Sequence, residues 1–215
     1  EPGPPVRYAA PVLRNAVYDH LPQTVRYRAH YLAARILAEH EAPPKRVAKH
    51  LLHAPPSKDS RVTDILINAG RAALRDGGYA VAVALYRQAL SGTVPDGKLP
   101  SLLAELGDAE LRIGEPQASD RLRQAMRITT DPVAHAEIAL RLSGVLSAAV
   151  RYKEAEAVLL AAYRAVNGRH DAMAMRLSEE SRRMARILPA IRPVVEDTLA
   201  GIRAADPVPR SGDAE

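Results

Sequence analysis

The sequence predicts an all-α fold built from antiparallel helix pairs, and three observations carry that reading. Apolar residues recur at i, i+3, i+4 and i+7 through most of the chain, and no alternating stretch of useful length interrupts them. Ala occurs 39 times and Leu 24 times, whereas Phe, Trp and Cys are absent. The core must therefore be filled by small and aliphatic side chains on closely packed helices. A dipeptide of Ala or Leu followed by a small residue returns every 35 to 37 residues, at Ala69-Gly70, Leu106-Gly107, Leu142-Ser143 and Leu177-Ser178.

The elements follow in order from proline and glycine punctuation. Residues 1–10 hold three prolines and cannot start a helix before Pro11. A helix is expected from Pro11 to His20, with Val12, Leu13, Ala16 and Val17 at helical spacing. Leu21-Pro22 breaks it, and Pro22 suits the first turn of the next helix. There Val25, Ala29, Leu32 and Ile36 form a stripe expected to face the core, and Pro43-Pro44 ends the helix near Glu41. A short helix from Lys45 to His53 precedes APPSKDS (54–60), a linker by composition. Asp59 or Ser60 can cap the following helix, whose apolar face is Val62, Ile65, Leu66, Ala69 and Ala73. Gly77-Gly78 turns it into a second helix from Tyr79 to Leu90, and Pro95 and Pro100 close that pair. Further helices are expected over 100–113, 116–129, 133–149, 152–166, 170–188 and 193–204.

Composition excludes several function classes. Without Cys there are no disulfides, thiol nucleophiles or thiolate metal sites. No run of about 18 apolar residues is present and no signal sequence opens the chain, so a soluble cytoplasmic protein is expected, with no membrane contact. The first residue is Glu, which suggests a piece of a longer protein; 215 residues make one domain with an appendage, or two small ones. Net charge is +5 and 25 of the 30 cations are Arg, but acids are interleaved with them throughout. Direct nucleic-acid binding is therefore not expected.

The repeat has internal detail. In the second helix of successive pairs, Ala82, Tyr86 and Ala89 return as Ala118, Leu122 and Ala125, then as Ala155, Leu159 and Ala162. Only Gly, Ala or Ser lets two antiparallel backbones cross closely, and the bulky residue one turn away fills the gap beside the crossing. This pattern resembles the tetratricopeptide repeat, most closely in ILINAGRAALRDGGYAVAVALYRQAL (65–90). The resemblance covers about 60–205, with repeats at about 61–97, 100–131, 133–168 and 170–204, the fourth lacking a second-helix signature. It implies a right-handed superhelix of antiparallel helix pairs with an N-terminal helical appendage.

A second resemblance lies upstream. Pro11, Leu13, Arg14, Ala16, Val17, Tyr18, Leu21 and Pro22, followed by Val47, Ala48, His50, Leu51 and Leu52, match in order and spacing a segment of large bacterial regulators. These are the ATP-binding LuxR-family, maltose-activator-like transcription factors of the signal-transducing ATPase class. The match is to the end of the winged-helix region that follows their ATPase. It implies that 1–55 is the C-terminal part of such a region, 56–60 a linker, 61–205 a sensor arm and 206–215 a tail. The ATPase and helix-turn-helix parts of such a parent lie outside these residues. The family's nucleotide-sensing His before Pro11 is Ala10 here, which puts a nucleotide contact from that position in doubt.

Other motifs fail on context. The stretch from Gly92 to Leu99 (GTVPDGKL) fits most of a phosphate-binding loop, but Leu99 stands where Mg²⁺ needs a hydroxyl. It follows a helix and meets Pro100, so an inter-repeat turn with glycines at positive φ is expected. His50 and His53 share a helix face yet lack further ligands, and read as a helix-end pair. His20, His30, His40 and His50 lie ten apart, which gives no common face. The acids and arginines of Glu137–Arg141, Glu179–Arg183 and Arg176–Glu180 are expected to pair within their helices. No nucleophile-base-acid arrangement emerges, so the fragment is not expected to be an enzyme, and it needs no cofactor or metal.

The functional expectation is a non-catalytic sensor and protein-interaction segment. Rivals are a free-standing tetratricopeptide adaptor docking a protein partner and a basic helical repeat on nucleic acid. By the repeat register, the first helix of each pair lines a concave groove, which puts Asn68, Arg71, Arg75, Glu105, Asp108, Arg112, Glu137, Arg141, Arg176, Glu179 and Arg183 on its surface. The groove would take a protein or peptide partner or a small-molecule inducer. At least one Arg per repeat suits an extended anionic guest; the blander outcome is that these arginines only pair with neighbouring acids. Self-association is left open.

Overall fold

A computed structural model describes residues 11–187 and 192–205. Among the described residues the chain forms eleven α-helices and no strand. They are α1 (Pro11–His20), α2 (Gln23–Glu39), α3 (Pro44–Leu51), α4 (Ser60–Arg75), α5 (Tyr79–Ser91), α6 (Leu99–Arg112), α7 (Ala118–Ile128), α8 (Pro132–Ala148), α9 (Tyr152–Val166), α10 (Asp171–Ile187) and α11 (Arg192–Ala205), with a 3₁₀ turn at Asp96–Lys98. Pro22 stands just outside α2 as its N-cap, while Asp59 caps α4 by accepting from the Arg61 amide at 2.9 Å. Asp131 caps α8 in the same way through the Ala134 amide. Ala10 and the tail at 206–215 lie outside the described residues.

The chain divides into two compact units, Glu1–Val94 and Pro95–Glu215. The sequence-based boundary at 56–60 thus falls inside the first unit. The reason is packing: α3 lies against α4, and the Gln88 amide of α5 donates to the carbonyls of Leu51 and Ala54. Thr63, fully buried on α4, donates to the Thr93 carbonyl at 2.8 Å and fastens the far end of that unit. In the second unit each helix from α6 to α10 packs on the next, and α8 also touches α6 and α10.

The repeat signature sits in the core. Ala69-Gly70, Leu106-Gly107, Leu142-Ser143 and Leu177-Ser178 are buried, as are Ala82, Tyr86 and Ala89 and their counterparts on α7 and α9. Where serine replaces glycine, its hydroxyl bonds the carbonyl three residues back: Ser143 to Leu140 at 2.8 Å and Ser178 to Met175 at 2.9 Å. This satisfies a polar atom that burial would otherwise leave costly.

The first helices also share one ending. Glu41, Gly77, Gly114 and Val150 adopt positive φ of 53°, 74°, 74° and 61°, at intervals of 36, 37 and 36 residues. Just beyond each, an amide reaches back to a carbonyl five residues earlier, as Ala42 to Leu37, Gly78 to Ala73, Glu115 to Glu110 and Arg151 to Leu146, at 2.8–2.9 Å. A carbonyl left open at a helix C-terminus is satisfied by this left-handed cap. The pair α2–α3 therefore ends its first helix as the repeats do. It buries Val47, Leu51 and Ala54 at the offsets of Ala82, Tyr86 and Ala89.

One sequence expectation fails in α2. Val25, Ala29, Leu32 and Ile36 are exposed, Ile36 by 49%. The side that meets α3 carries His30, Ala34 and Leu37, of which Ala34 is buried and the others partly so. Both stripes are apolar enough to satisfy a helical period, and packing chose the one with the small residue. Val17, Tyr18 and Leu21 add to the exposed apolar surface of α1–α2.

Candidate functional site

The expected groove residues occupy one face of each first helix. Asn68, Arg71 and Arg75 follow i, i+3, i+7 on α4 and are exposed. Glu105, Asp108 and Arg112 repeat that spacing on α6, and Arg176, Glu179 and Arg183 repeat it on α10; Glu137 and Arg141 lie between them in sequence on α8.

In the second unit these faces meet. Arg141 of α8 holds the Asp108 carboxylate of α6 at 3.0 Å, and Arg176 of α10 approaches Glu137 of α8 at 3.8 Å. The pairs run between neighbouring first helices, not within one helix as the i, i+4 spacing predicts. Arg183 does pair within α10, but with Glu180 and not Glu179. An arginine stem spans the distance to an adjacent helix, and the carboxylates four residues away point elsewhere. Burial pushes the Asp108 carboxyl up, and so does the nearby Glu105; Arg141 and Arg112 pull it down without fully offsetting burial. Asp108 and Arg141 remain 38% and 37% exposed in their side chains, so their bond is partly screened.

Two clefts open along this face. One, of about 320 Å³, lies between α6 and α8, with Glu105, Glu137 and Arg141 among its walls together with Asp96, Ser101 and Asp131. The other, of about 730 Å³, is lined by Leu140 of α8 and by Arg176, Glu179, Arg182, Arg183 and Arg186 of α10. Arg182 is drawn toward Glu196 of α11 at 3.5 Å. The arginines of the larger cleft are thus largely matched by acids, which favours the paired reading over a bare cationic track. Asp96, Ser101 and Asp131 were not singled out from sequence; their signal is their place in the turns that open α6 and α8.

The phosphate-loop-like stretch adopts an inter-helix turn. The loop from Gly92 to Lys98 follows α5 and leads through the 3₁₀ turn into α6. Its glycines do not adopt positive φ, contrary to expectation. Gly92 is extended and needed for another reason: a Cβ there would lie 2.7 Å from the Ser57 carbonyl. Among the described residues no group of three or more His, Asp or Glu is arranged to hold a metal ion, and no helix is long and apolar enough to cross a membrane.

The first unit holds a cluster that sequence reading missed. His30 of α2 reaches His50 of α3 with 3.0 Å between their Nδ1 atoms, and the His53 ring lies tilted by 39° against His30 with 4.9 Å between centroids. Tyr18 of α1 completes it through its hydroxyl, 2.8 Å from His30 Nε2. His30 and His50, twenty residues apart, meet because α2 folds back on α3, and not through a shared helix face. The same unit has an apolar cleft of about 450 Å³ among Ala48, Leu52, Ala73, Val81 and Leu85, rimmed by the Lys45–Asp76 ion pair.

Neither a described protein family nor a curated protein matches the chain.

Proposed function

We propose that the chain is a non-catalytic sensor and interaction segment, a tetratricopeptide-like superhelix whose first helices present a binding face to a protein, peptide or small-molecule guest. The observation that carries this reading is the joined charged face of α6, α8 and α10. Side chains from successive first helices meet there as Asp108–Arg141 and Glu137–Arg176, around two clefts. Paired charges of this kind favour a guest that carries both signs, such as a peptide, over a purely anionic one.

The resemblance of 11–52 and the repeats to LuxR-type ATP-binding regulators supports placing this segment in such a parent chain, beside ATPase and helix-turn-helix parts. The exposed Val17, Leu21, Val25, Leu32 and Ile36 favour a covering neighbour for α1–α2, as a segment of a larger chain requires. A free-standing adaptor is the second reading. The shared cap and burial pattern of α2–α3 favour it, because they extend the array toward the N-terminus.

Two experiments test this. A full reading frame with a phosphate-binding loop upstream and a helix-turn-helix downstream supports the regulator; their absence supports the adaptor. For the face itself, a peptide selected for binding to the chain should lose affinity at least tenfold in Arg141→Glu/Arg176→Glu, with the helical circular-dichroism signal unchanged. Unchanged affinity moves the site off this face. Steeply salt-dependent retention on DNA would instead favour the nucleic-acid rival.

A further inference from the structure

The histidine cluster between α2 and α3 has the build of a proton sensor. The contact between His30 Nδ1 and His50 Nδ1 spans 3.0 Å, and only one hydrogen fits in it. One ring must donate and the other accept, so at least one of the two nitrogens is unprotonated. A proton on the accepting nitrogen charges that ring and sets two N–H donors head to head, and full protonation of both rings places two positive charges a few ångströms apart.

The surroundings do not relieve that charge. His30 feels His53 and His50; His50 feels Lys49, His53 and Arg46. From α1 the neighbour is the Tyr18 hydroxyl, and the guanidinium of Arg26 lies over the Tyr18 ring at 5.2 Å. Among the described residues, no carboxylate and no charged group of α4 is among the groups acting on either ring. Burial is the largest effect on both, and with these cations it holds both imidazoles below their ordinary value.

We propose that His30, His50 and His53 form a proton-sensitive joint between α2 and α3, closed at neutral pH and loosened on acidification. The sign follows from linkage. Groups whose folded value is depressed bind more protons unfolded, so their stabilising effect is complete above the ordinary imidazole value near 6.5 and declines as pH falls below it. The element released is α2, which carries the exposed apolar stripe, so the joint would alter how that face is presented.

Hydrogen exchange on the whole chain at pH 7.5 and 5.5, corrected for intrinsic rates, reads the joint directly. Amides of α2 and α3 should lose protection at pH 5.5 while those of α8 and α9 do not. Equal protection of α2 and α3 at both values overturns the proposal. In His30→Gln/His50→Asn the acid loss should disappear; full retention of that loss also overturns it. Should the double variant fail to fold, imidazole signals of the wild-type chain serve instead. His30 and His50 must both titrate below the ordinary range, with coupled steps, and an ordinary independent titration of either ring refutes the joint.

Discussion

The ring of Tyr86 occupies the space that any side chain at Gly70 would need: a Cβ on Gly70 would lie 2.4 Å from the Tyr86 Cε1 atom. Both residues are buried, Tyr86 completely, so the ring has no solvent to move into. Gly70→Ala should therefore destabilise the first unit by about 1–3 kcal/mol, the usual cost of overpacking. Tyr86→Leu in the same chain should recover part of the loss, and a double-mutant cycle on thermal melts measures the coupling. Gly107 faces Leu122 in the same relation, with a Cβ at 2.9 Å from its Cγ, so Gly107→Leu should disrupt the second unit more severely.

That relation explains why the helix pairs were legible in the sequence. Small residues at a crossing, a bulky one a turn away and glycine after the helix are local requirements, and local requirements leave a spacing. Side-chain partners were not legible, because they depend on which helix comes alongside. Nothing within α10 says that Arg176 turns toward Glu137, and the ring of His30 meets His50 only once α2 folds back on α3. The stripe of α2 failed for a related reason. Its alternatives, through Val25 or through Ala34, are both apolar, and only the tertiary contact with α3 distinguishes them.

Val150 stands in the left-handed turn that Gly77 and Gly114 fill in the preceding repeats, and it is 72% exposed. A β-branched residue in that conformation costs roughly 1–2 kcal/mol, of which glycine's larger unfolded-state freedom gives back a part. Val150→Gly should stabilise the second unit by about 1 kcal/mol. The reverse exchange, Gly114→Val, should cost a similar amount, since a Cβ at Gly114 meets nothing within 4 Å and only backbone strain is at stake. Denaturant midpoints at unchanged slope check both.

The two glycines of the GTVPDGK stretch should behave differently. Gly92→Ala forces a Cβ to within 2.7 Å of the Ser57 carbonyl and displaces the Thr93 amide that bonds the same oxygen at 3.1 Å. Gly97→Ala meets open space. The first should lower the melting temperature and the second should not. ATP with Mg²⁺ should shift neither the wild-type chain nor Lys98→Ala, and a nucleotide-dependent rise lost in Lys98→Ala would show the loop to be a phosphate site after all.

Glu156 lies on α9 directly after Ala155, at the position that buried Val83 takes after Ala82. It is only 7% exposed, its Oε1 is buried without a hydrogen-bond partner among the described residues, and burial pushes its carboxyl above the ordinary value. A charged carboxylate in that place works against folding, because leaving a buried polar group unsatisfied costs on the order of 1–3 kcal/mol. Methionine keeps the length of the side chain and removes the charge, so Glu156→Met should raise stability at pH 7 by an amount in that range. For a group whose folded value is raised, the penalty is present above that value and vanishes as pH falls through it. The gap between Glu156→Met and wild type should therefore narrow from pH 7 toward pH 4.5. Acid also loosens the histidine joint of the first unit, so the comparison must be variant against wild type at each pH, by hydrogen exchange in α8 and α9. A gap that stays constant across that range would mean that methionine stabilises by packing alone and that Glu156 is not held as a penalised carboxylate.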